Sequence, residues 1–201
     1  TSPFTISTTD YYEALTTIPC THSLHYPRLS KKAHGVVKFN NGWVNYDGMP
    51  EEEMNRFAAS LVDALKFLLV KHKVGFAFET TLSHPSHLKF LKFAKREGAR
   101  LILRFVSTQS FLVNIDRVDE RVQNGGRGGD RLTIQRRYHR SMDLLHDVIQ
   151  IVDIAYLYDN SIIAVQFAVI YGGRTLKPIS KQKPKWLNQY VLKKGNYTIQ
   201  K

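Results

Sequence analysis

Three short polar clusters in this sequence combine carboxylate, amide and hydroxyl groups that suit proton transfer or the binding of a hydroxylated ligand. The clusters are Asn45 with Asp47, Glu79 with Thr80 and Thr81, and Asp159 with Asn160 and Ser161. A carboxylate can accept a proton from a substrate hydroxyl and orient it for attack. Neighbouring hydroxyl groups can bind sugar or phosphate oxygens. Each cluster follows an apolar stretch, and we therefore expect each to stand at the end of a strand.

The first two clusters also have purely structural interpretations. Asp47 belongs to an Asp-Gly pair, which is a common turn, and Asn45 would then cap that turn. Thr81 or Ser83 would cap the next helix, and Glu79 would pair with a basic neighbour. An ionised Glu beside an apolar strand is costly unless it is paired or meets a ligand. That cost favours a functional role for Glu79.

A ladder of arginines forms the third candidate feature, spread over two predicted helices and the glycine-rich loop that joins them. Its members are Arg117, Arg121, Arg127, Arg131, Arg136, Arg137 and Arg140. Phosphoryl transfer needs little covalent help and much positive charge around the moving group. The ladder could close over a nucleotide as a lid, with the loop glycines as a hinge. A solvated basic face, partly neutralised by Asp116, Asp119 and Glu120, is the alternative.

The overall charge points to anionic partners. The 201 residues include 29 Lys and Arg against 17 Asp and Glu, a formal net charge of +12. Such a surplus favours nucleotides, phosphorylated substrates, nucleic acid or a membrane surface, although a generally basic soluble protein has the same balance. The single cysteine, Cys20, excludes an internal disulfide and a cysteine-rich zinc site. The eight histidines form no metal-ligand motif, and no metal site is predicted.

No membrane segment or signal peptide is predicted. The first residues are polar and lack the basic-then-apolar pattern of a signal peptide. The longest apolar stretch, residues 161–173, is too short to cross a bilayer as a helix. We expect a cytoplasmic protein.

These groups must be positioned by strands that alternate with helices, a pattern that predicts a mainly parallel sheet in an α/β protein. The predicted strands are residues 35–39, 43–48, 75–80, 99–107, 154–161 and 161–173. The predicted helices are residues 49–73, 85–98, 110–123 and 131–152. In such sheets ligands bind beyond the carboxyl ends of the strands, where the three polar clusters would meet. Residues 1–42 are predicted to be irregular or atypical, and residues 176–201 to form a basic tail on the surface.

Six stretches, in this order, resemble the zeta-toxin family of P-loop kinases. They read VNYDG, GFAFETTLS, KREGARLILRFV, NIDRVDERVQNGG, IQRRYHRSMDLL and YDNS. The resemblance places a kinase core over residues 43–175. It implies a three-layer α/β/α kinase that uses ATP, with Mg²⁺, to phosphorylate a hydroxyl of a nucleotide sugar such as UDP-N-acetylglucosamine. An antitoxin protein is an implied partner.

The resemblance also implies a role for each candidate residue. Asp47 would be the base beside the acceptor hydroxyl, and Asn45, Glu79, Thr80 and Thr81 would line the substrate pocket. Arg121 and either Arg136 or Arg137 would supply charge to the transferring phosphate. Asn160 and Arg127 would lie near the nucleotide, with Gly125-Gly126-Arg127 standing where family sequences commonly have Gly-Gly-His.

One motif that the family needs is missing. A P-loop kinase requires GxxxxGK[ST] after its first strand, and no such motif occurs in this sequence. That first strand would lie between the strands predicted at residues 75–80 and 99–107, and residues 35–39 are too close to residues 43–48 to replace it. A replaced N-terminus, a relative that lost ATP chemistry, or phosphate binding by another loop, such as residues 124–130, would each explain the gap.

Three functions follow from these observations. The first is the kinase, and the second is a catalytically impaired relative that binds a nucleotide or a partner without chemistry. The third is a nucleic-acid binder that would use the arginine ladder, the Lys-rich tail, and Trp186 and Tyr190 for stacking on bases. Because no nucleic-acid motif is present, we do not expect a nucleic-acid partner.

Overall fold

The computed structural model describes residues 38–40, 43–45, 51–181 and 183–200. The chain divides into two compact units, an N-terminal unit Thr1–Ala77 and a C-terminal unit Phe78–Lys201. Each unit is described by itself below.

The described part of the N-terminal unit contains a β-hairpin and one long helix. Strands β1 (Lys38–Asn40) and β2 (Trp43–Asn45) pair with each other in antiparallel fashion. Among the strands that the structure describes, neither β1 nor β2 has a parallel partner. Helix α1 (Glu51–Lys71) confirms the helix predicted for residues 49–73. Its spacing of apolar residues places Ala64, Phe67 and Leu68 on a buried face.

The segment predicted as a buried strand at residues 75–80 is irregular, and this prediction was wrong. Phe76 and Phe78 are exposed to 37% and 39%. An apolar run becomes a strand only when its N–H and C=O groups find a neighbouring strand. Among the described residues, none pairs with this segment in a sheet.

The C-terminal unit is built on an open five-stranded sheet. Its strands are β3 (Ile102–Ser107), β4 (Ile154–Asp159), β5 (Val165–Tyr171), β6 (Thr175–Pro178) and β7 (Thr198–Ile199), and they lie side by side in this order. The β3–β4 and β6–β7 pairs are parallel, whereas β4–β5 and β5–β6 are antiparallel. The protein is thus of mixed α/β type, as predicted, but the sheet is mixed rather than mainly parallel.

The departure from a parallel sheet begins after β4. Only five residues separate β4 from β5, which is too short for the crossover that a parallel neighbour requires. The chain then reverses again between β5 and β6, where Gly172 and Gly173 both have positive φ values of +55° and +68°. Glycine adopts this conformation without a steric penalty, and the hairpin is correspondingly tight.

The helices of the C-terminal unit confirm the predicted pattern for residues 85–152. They are α2 (Ser86–Arg96), α3 (Phe111–Gln123) and α4 (Arg131–Ile151), followed near the C-terminus by the short α5 (Lys185–Leu187) and a π-helical turn (Asn188–Leu192). Both α2 and α3 pack against α4. Helix α4 therefore forms the centre of the helical layer.

The core lies between α4 and one face of the sheet. From the helix come Met142, Leu145 and Ile149, and from the strands come Phe105 and Leu157, all in one buried cluster. Each is less than 9% exposed. Burial of a Leu or Ile side chain stabilises a fold by about 1.5–3 kcal/mol. This cluster is thus the main source of stability in the described part of the unit.

The basic C-terminal segment is not the surface element that its lysines suggest. Trp186, Leu187 and Val191 are at most 2% exposed and belong to the same core cluster. Strands β6 and β7 extend the sheet. The lysines lie outward while the apolar residues between them point inward, because a short helix can present both faces at once.

Candidate anion-binding site

The carboxyl ends of the parallel strands β3 and β4 bring two polar loops together. The Asn160 N–H donates to the Ser107 carbonyl at 2.7 Å, and the Gln109 N–H donates to the Ser161 hydroxyl at 2.8 Å. We call residues Ser107–Ser110 and Asp159–Ser161 the strand-end cluster. Asn160 thus stands at the end of a strand, where the sequence predicted it.

The Asp159 carboxylate holds this cluster in shape. It is 5% exposed, and its Oδ2 accepts from the Trp186 indole N–H at 2.7 Å. Its Oδ1 accepts from the Ser161 N–H at 2.9 Å. Burial of a carboxylate is tolerated when such donors replace water. With both oxygens engaged, Asp159 acts as a structural acceptor that ties the C-terminal helix to the loop after β4.

Trp186 is consequently unavailable for stacking on nucleic-acid bases, which removes one of the contacts that the alternative of a nucleic-acid binder would use. The indole is 2% exposed, and its ring lies edge-on to Phe105 with centroids 5.8 Å apart. The side chain instead joins an aromatic contact to a hydrogen bond with a buried carboxylate.

Tyr138, which the sequence analysis did not single out, secures the loop after β3. Its hydroxyl donates to the Thr108 carbonyl at 2.9 Å. Burial of the phenol raises the pKa of Tyr138 to about 12, so the hydroxyl keeps its proton and remains a donor. The spacing of Tyr138, Met142, Leu145 and Ile149 along α4 is the signal that could have identified it as inward-facing.

The loop after β3 leads directly into α3. The Thr108 hydroxyl donates to the Ser110 carbonyl at 2.9 Å, and the Ser110 hydroxyl caps the helix by accepting from the Leu112 N–H at 3.1 Å. Serine at this position satisfies one of the free N–H groups of the first turn. The cap orients the first two turns of α3, including Arg117, relative to the strand ends.

Arg117 is the cation that lies beside the strand-end cluster. Its Nη2 donates to the Ser161 carbonyl at 3.4 Å, a long contact, and none of its other guanidinium N–H groups bonds to another residue that the structure describes. The residue is exposed. A guanidinium fixed at one corner and open at the others can bind a phosphate or carboxylate in bidentate fashion.

Arg121 and Arg127 stabilise the glycine-rich loop after α3. The Arg121 Nε donates to the Arg127 carbonyl at 3.0 Å, and the Gly126 N–H donates to the Arg121 carbonyl at 2.8 Å. Gly125 has a φ of +79°, as expected for a residue that ends a helix in the left-handed conformation. A Cβ on Gly126 would lie 2.5 Å from the Arg121 Cγ, so only glycine lets this side chain lie across the loop.

The remaining arginines of the ladder lie on α4. Arg131 forms an ion pair with Asp119 at 2.5 Å, and Arg136 donates to the Leu132 carbonyl at 3.3 Å within its own helix. Arg137 and Arg140 are exposed and form no ion pair with any other described residue. Some arginines of the ladder thus bond within the protein, whereas Arg137 and Arg140 present their charge at the surface.

Helix α4 begins at Asp130, whose side chain accepts from the Thr133 N–H at 2.7 Å. Hydrogen bonding to Thr133 lowers the pKa of Asp130 below its usual value. Because the Asp130 carboxylate already occupies the N-terminus of α4, an anion would have to bind elsewhere on α3, α4 or the loop between them.

The Glu79–Thr81 cluster lies in an irregular, exposed segment, and its hydrogen bonds to other described residues are local. Thr80 Oγ1 accepts from the Leu82 N–H at 3.1 Å and lies 2.9 Å from the His87 Nε2. Thr81 Oγ1 lies 2.9 Å from the Ser83 hydroxyl. Neither Thr81 nor Ser83 caps α2, because the helix begins after Pro85 without a side-chain cap. The structure does not attach this cluster to the end of a paired strand.

Two of the predicted site residues, Asn45 and Asp47, belong to the N-terminal unit. Asn45 is the last residue of β2, and Asp47 lies outside the described residues. Across the described residues, no three His, Cys, Asp or Glu side chains form a group suited to a metal ion. No helix among the described elements combines the length and apolarity needed to cross a membrane.

Comparisons of the chain with protein-family models, curated proteins and solved structures find no match. The resemblance to zeta-toxin kinases stays a prediction from sequence motifs.

Proposed function

We propose that the C-terminal unit is a binding module for a phosphate-bearing ligand such as a nucleotide, held beyond the carboxyl ends of β3 and β4. The observation that carries the proposal is the placement of Arg117 beside the strand-end cluster, where its guanidinium makes a single long hydrogen bond within the described part of the chain. Ligands of α/β proteins commonly bind at the carboxyl ends of adjacent parallel strands.

The charge of the protein supports an anionic ligand. The net charge is +12, and Arg137 and Arg140 contribute exposed positive charge on the neighbouring helix. Such a field increases the encounter rate of an anion with the surface and falls with ionic strength. Ser110, Asn114 and Asn160 supply neutral polar groups near the strand ends, suited to hydroxyls or phosphate oxygens.

Binding without phosphate transfer is the function that the local chemistry favours. The carboxylate in the strand-end cluster, Asp159, is buried with both oxygens engaged, so it is a poor general base. The sequence also lacks the GxxxxGK[ST] loop that cradles the phosphates of ATP.

Kinase activity is the second candidate, favoured by the order of the six sequence motifs. It would need Asp47 as base, ATP with Mg²⁺, a nucleotide-sugar acceptor, and the three-layer kinase arrangement. An antitoxin partner and a cytoplasmic location belong to the same hypothesis. Transfer of labelled phosphate from ATP to UDP-N-acetylglucosamine, abolished by Asp47→Asn, would favour this candidate over a binding module.

Titration calorimetry on the full chain tests the binding proposal, with Mg-ATP, UDP-N-acetylglucosamine and pyrophosphate as separate probes. We expect at least one probe to bind, and Arg117→Gln to weaken that binding about tenfold, the equivalent of about 1.4 kcal/mol. Affinity should also fall as salt is raised.

Arg174→Gln is the matched control, because it removes the same charge from an exposed position in the β5–β6 hairpin. Equal loss of affinity in both variants would indicate a diffuse charge effect rather than a site at Arg117. Absence of binding by all three probes would overturn the proposal.

A further inference from the structure

The outer edge of the sheet at β3 has the features of a docking edge for another strand. Ile102 and Val106 are 53% and 56% exposed, although both are apolar residues of high strand propensity. They flank Arg104 on one face of the strand, because alternate side chains of a strand share a face. No other described strand pairs with this edge.

The direction of the backbone groups supports this assignment. The Leu101 carbonyl accepts from the Asp153 N–H at 2.9 Å, and the Ser107 carbonyl accepts from the Asn160 N–H at 2.7 Å. These contacts place the odd-numbered residues of β3 with their backbone groups toward β4. By alternation, the even-numbered residues Ile102, Arg104 and Val106 direct theirs to the outer edge.

Strand β3 lacks several of the devices that commonly block an exposed edge. Its six residues contain no proline or glycine, and its register with β4 is regular from Ile102 to Ser107. Natural edges are usually protected by prolines, bulges, short length or charge. Only the charge of Arg104 is present, and its guanidinium lies over the Tyr156 ring, 6.0 Å from the centroid.

Arg104 decides which partner the edge can accept. In-register parallel pairing of β3 with a second copy, or antiparallel pairing centred on Arg104, would set Arg104 directly opposite Arg104. Like charges directly opposite each other destabilise a strand pair. An acidic residue at that position, with apolar residues two positions away on either side, would instead complement Arg104, Ile102 and Val106.

We propose that the β3 edge binds an extended segment of a partner polypeptide with an apolar-X-acidic-X-apolar pattern, which adds a strand to the sheet. Main-chain hydrogen bonds supply affinity in this mode, and alternate side chains supply specificity. The pattern is symmetric about its acidic residue and fits both strand directions. This inference does not depend on the proposed anion site.

The test uses the full 201-residue chain and a labelled peptide, Thr-Val-Thr-Glu-Thr-Val-Thr, in fluorescence anisotropy. A second peptide carries Lys in place of the central Glu. We expect the wild type to bind the Glu peptide about fivefold more tightly than the Lys peptide, and Arg104→Glu to reverse the preference. Lys177→Glu is the matched control, since it makes the same charge change on β6, a strand paired on both sides.

Backbone N-methylation of the peptide separates strand addition from simple charge attraction. Methyl groups on one set of alternate residues should abolish binding, whereas methyl groups on the other set should leave it intact, because only one set faces β3. Equal binding by both methylated peptides would overturn the proposal. So would a failure of the Glu peptide to saturate by about 1 mM, a Kd equivalent to about −4.1 kcal/mol.

Sedimentation velocity tests the competing occupant. If the wild type forms dimers with increasing concentration, and mixing it with Arg104→Glu strengthens them, the edge pairs with a second copy and the proposal is wrong. A monomer under the same conditions, together with the peptide preference, supports it.

Discussion

The strand-end cluster and the segment from Glu79 to Ser86 look alike in sequence but differ in how the structure holds them. Both place a carboxylate and hydroxyls after an apolar run. In the strand-end cluster, the Asp159 carboxylate reaches Trp186, 27 residues away, and is buried. In the other segment, the most distant described partner of Thr80 is His87, seven residues away, and Glu79 is exposed.

The difference shows that an apolar segment fixes the position of the polar residues that follow it only when the segment pairs with neighbouring strands in a sheet. Strand β4 has neighbours on both sides, which fix the position of Asp159 through the whole ladder. The run before Glu79 has no neighbour among the described strands, so its polar residues bond locally. Polar side chains in an unpaired loop tend to satisfy themselves with nearby backbone and hydroxyl groups.

The largest expected effect is that of removing the buried carboxylate. Asp159→Ala should lower the free energy of unfolding by about 3 kcal/mol, because the buried Trp186 N–H and the partly buried Ser161 N–H lose a charged acceptor. Glu79→Ala, the equivalent change in the exposed segment, should change it by less than about 0.5 kcal/mol. Urea denaturation measures both. Similar losses in the two variants would mean that the contrast between the regions is not energetic.

A smaller effect should follow from truncating Leu82, which packs into the core from the segment between Glu79 and Ser86. Leu82 is 5% exposed in the core cluster, even though its φ is +52°, a conformation unfavourable for leucine. Leu82→Ala should cost about 2–3 kcal/mol through the cavity it leaves. Since alanine keeps a Cβ, the backbone strain is retained and the change isolates packing.

Thr81→Ala serves as the control for this prediction, because Thr81 is exposed and its side chain bonds to the Ser83 hydroxyl, two residues further along the chain. We expect a change below about 0.5 kcal/mol in urea denaturation. A loss from Leu82→Ala no larger than this would show that the segment is not anchored in the core.

The smallest expected effect concerns the other end of β4. Hydrogen bonding to Lys95 lowers the pKa of Asp153 below 3.8, and the carboxylate also accepts from the Leu101 N–H at 2.8 Å. A lowered folded-state pKa stabilises the fold above the unfolded value and loses that contribution as pH falls through the folded value. Asp153→Asn should therefore flatten the fall in stability below pH 3.8.

Because Asp153 and Lys95 are both more than a third exposed, we expect less than about 1 kcal/mol from this contact. Urea denaturation at a series of acidic pH values measures it, and Asp147→Asn on the exposed face of α4 is the control. An identical pH profile for Asp153→Asn and the wild type would contradict the assignment.

The sequence predicted the elements that carry a strong local pattern. The helices at residues 49–73, 85–98, 110–123 and 131–152 are all present, and so are the strands within residues 99–107 and 154–161. Helical periodicity, and glycines placed after α2 and α3, are local signals that can be recognised without knowing the fold. The position of Asn160 at a strand end followed from the same kind of pattern.

The failures lie where an element depends on distant residues. A buried strand at residues 75–80, a surface tail at residues 176–201 and a mainly parallel sheet were each expected, and the described structure differs from each. Tyr138 was missed because its bond to Thr108 spans 30 residues. Whether a segment is buried or paired depends on which other parts of the chain pack against it, and the composition of the segment does not specify those parts.

The sequence alone thus determined the positions of the four long helices α1 to α4, the basic charge of the chain, and the residues that end β3 and β4. Tertiary structure alone decided that β5 returns antiparallel, that Asp159 is enclosed by Trp186, and that β3 is the edge strand of the five described strands. The physical reason is the range of the interactions. Helix formation is settled within a few turns by local hydrogen bonds, whereas strand order and burial depend on contacts between residues far apart in the chain.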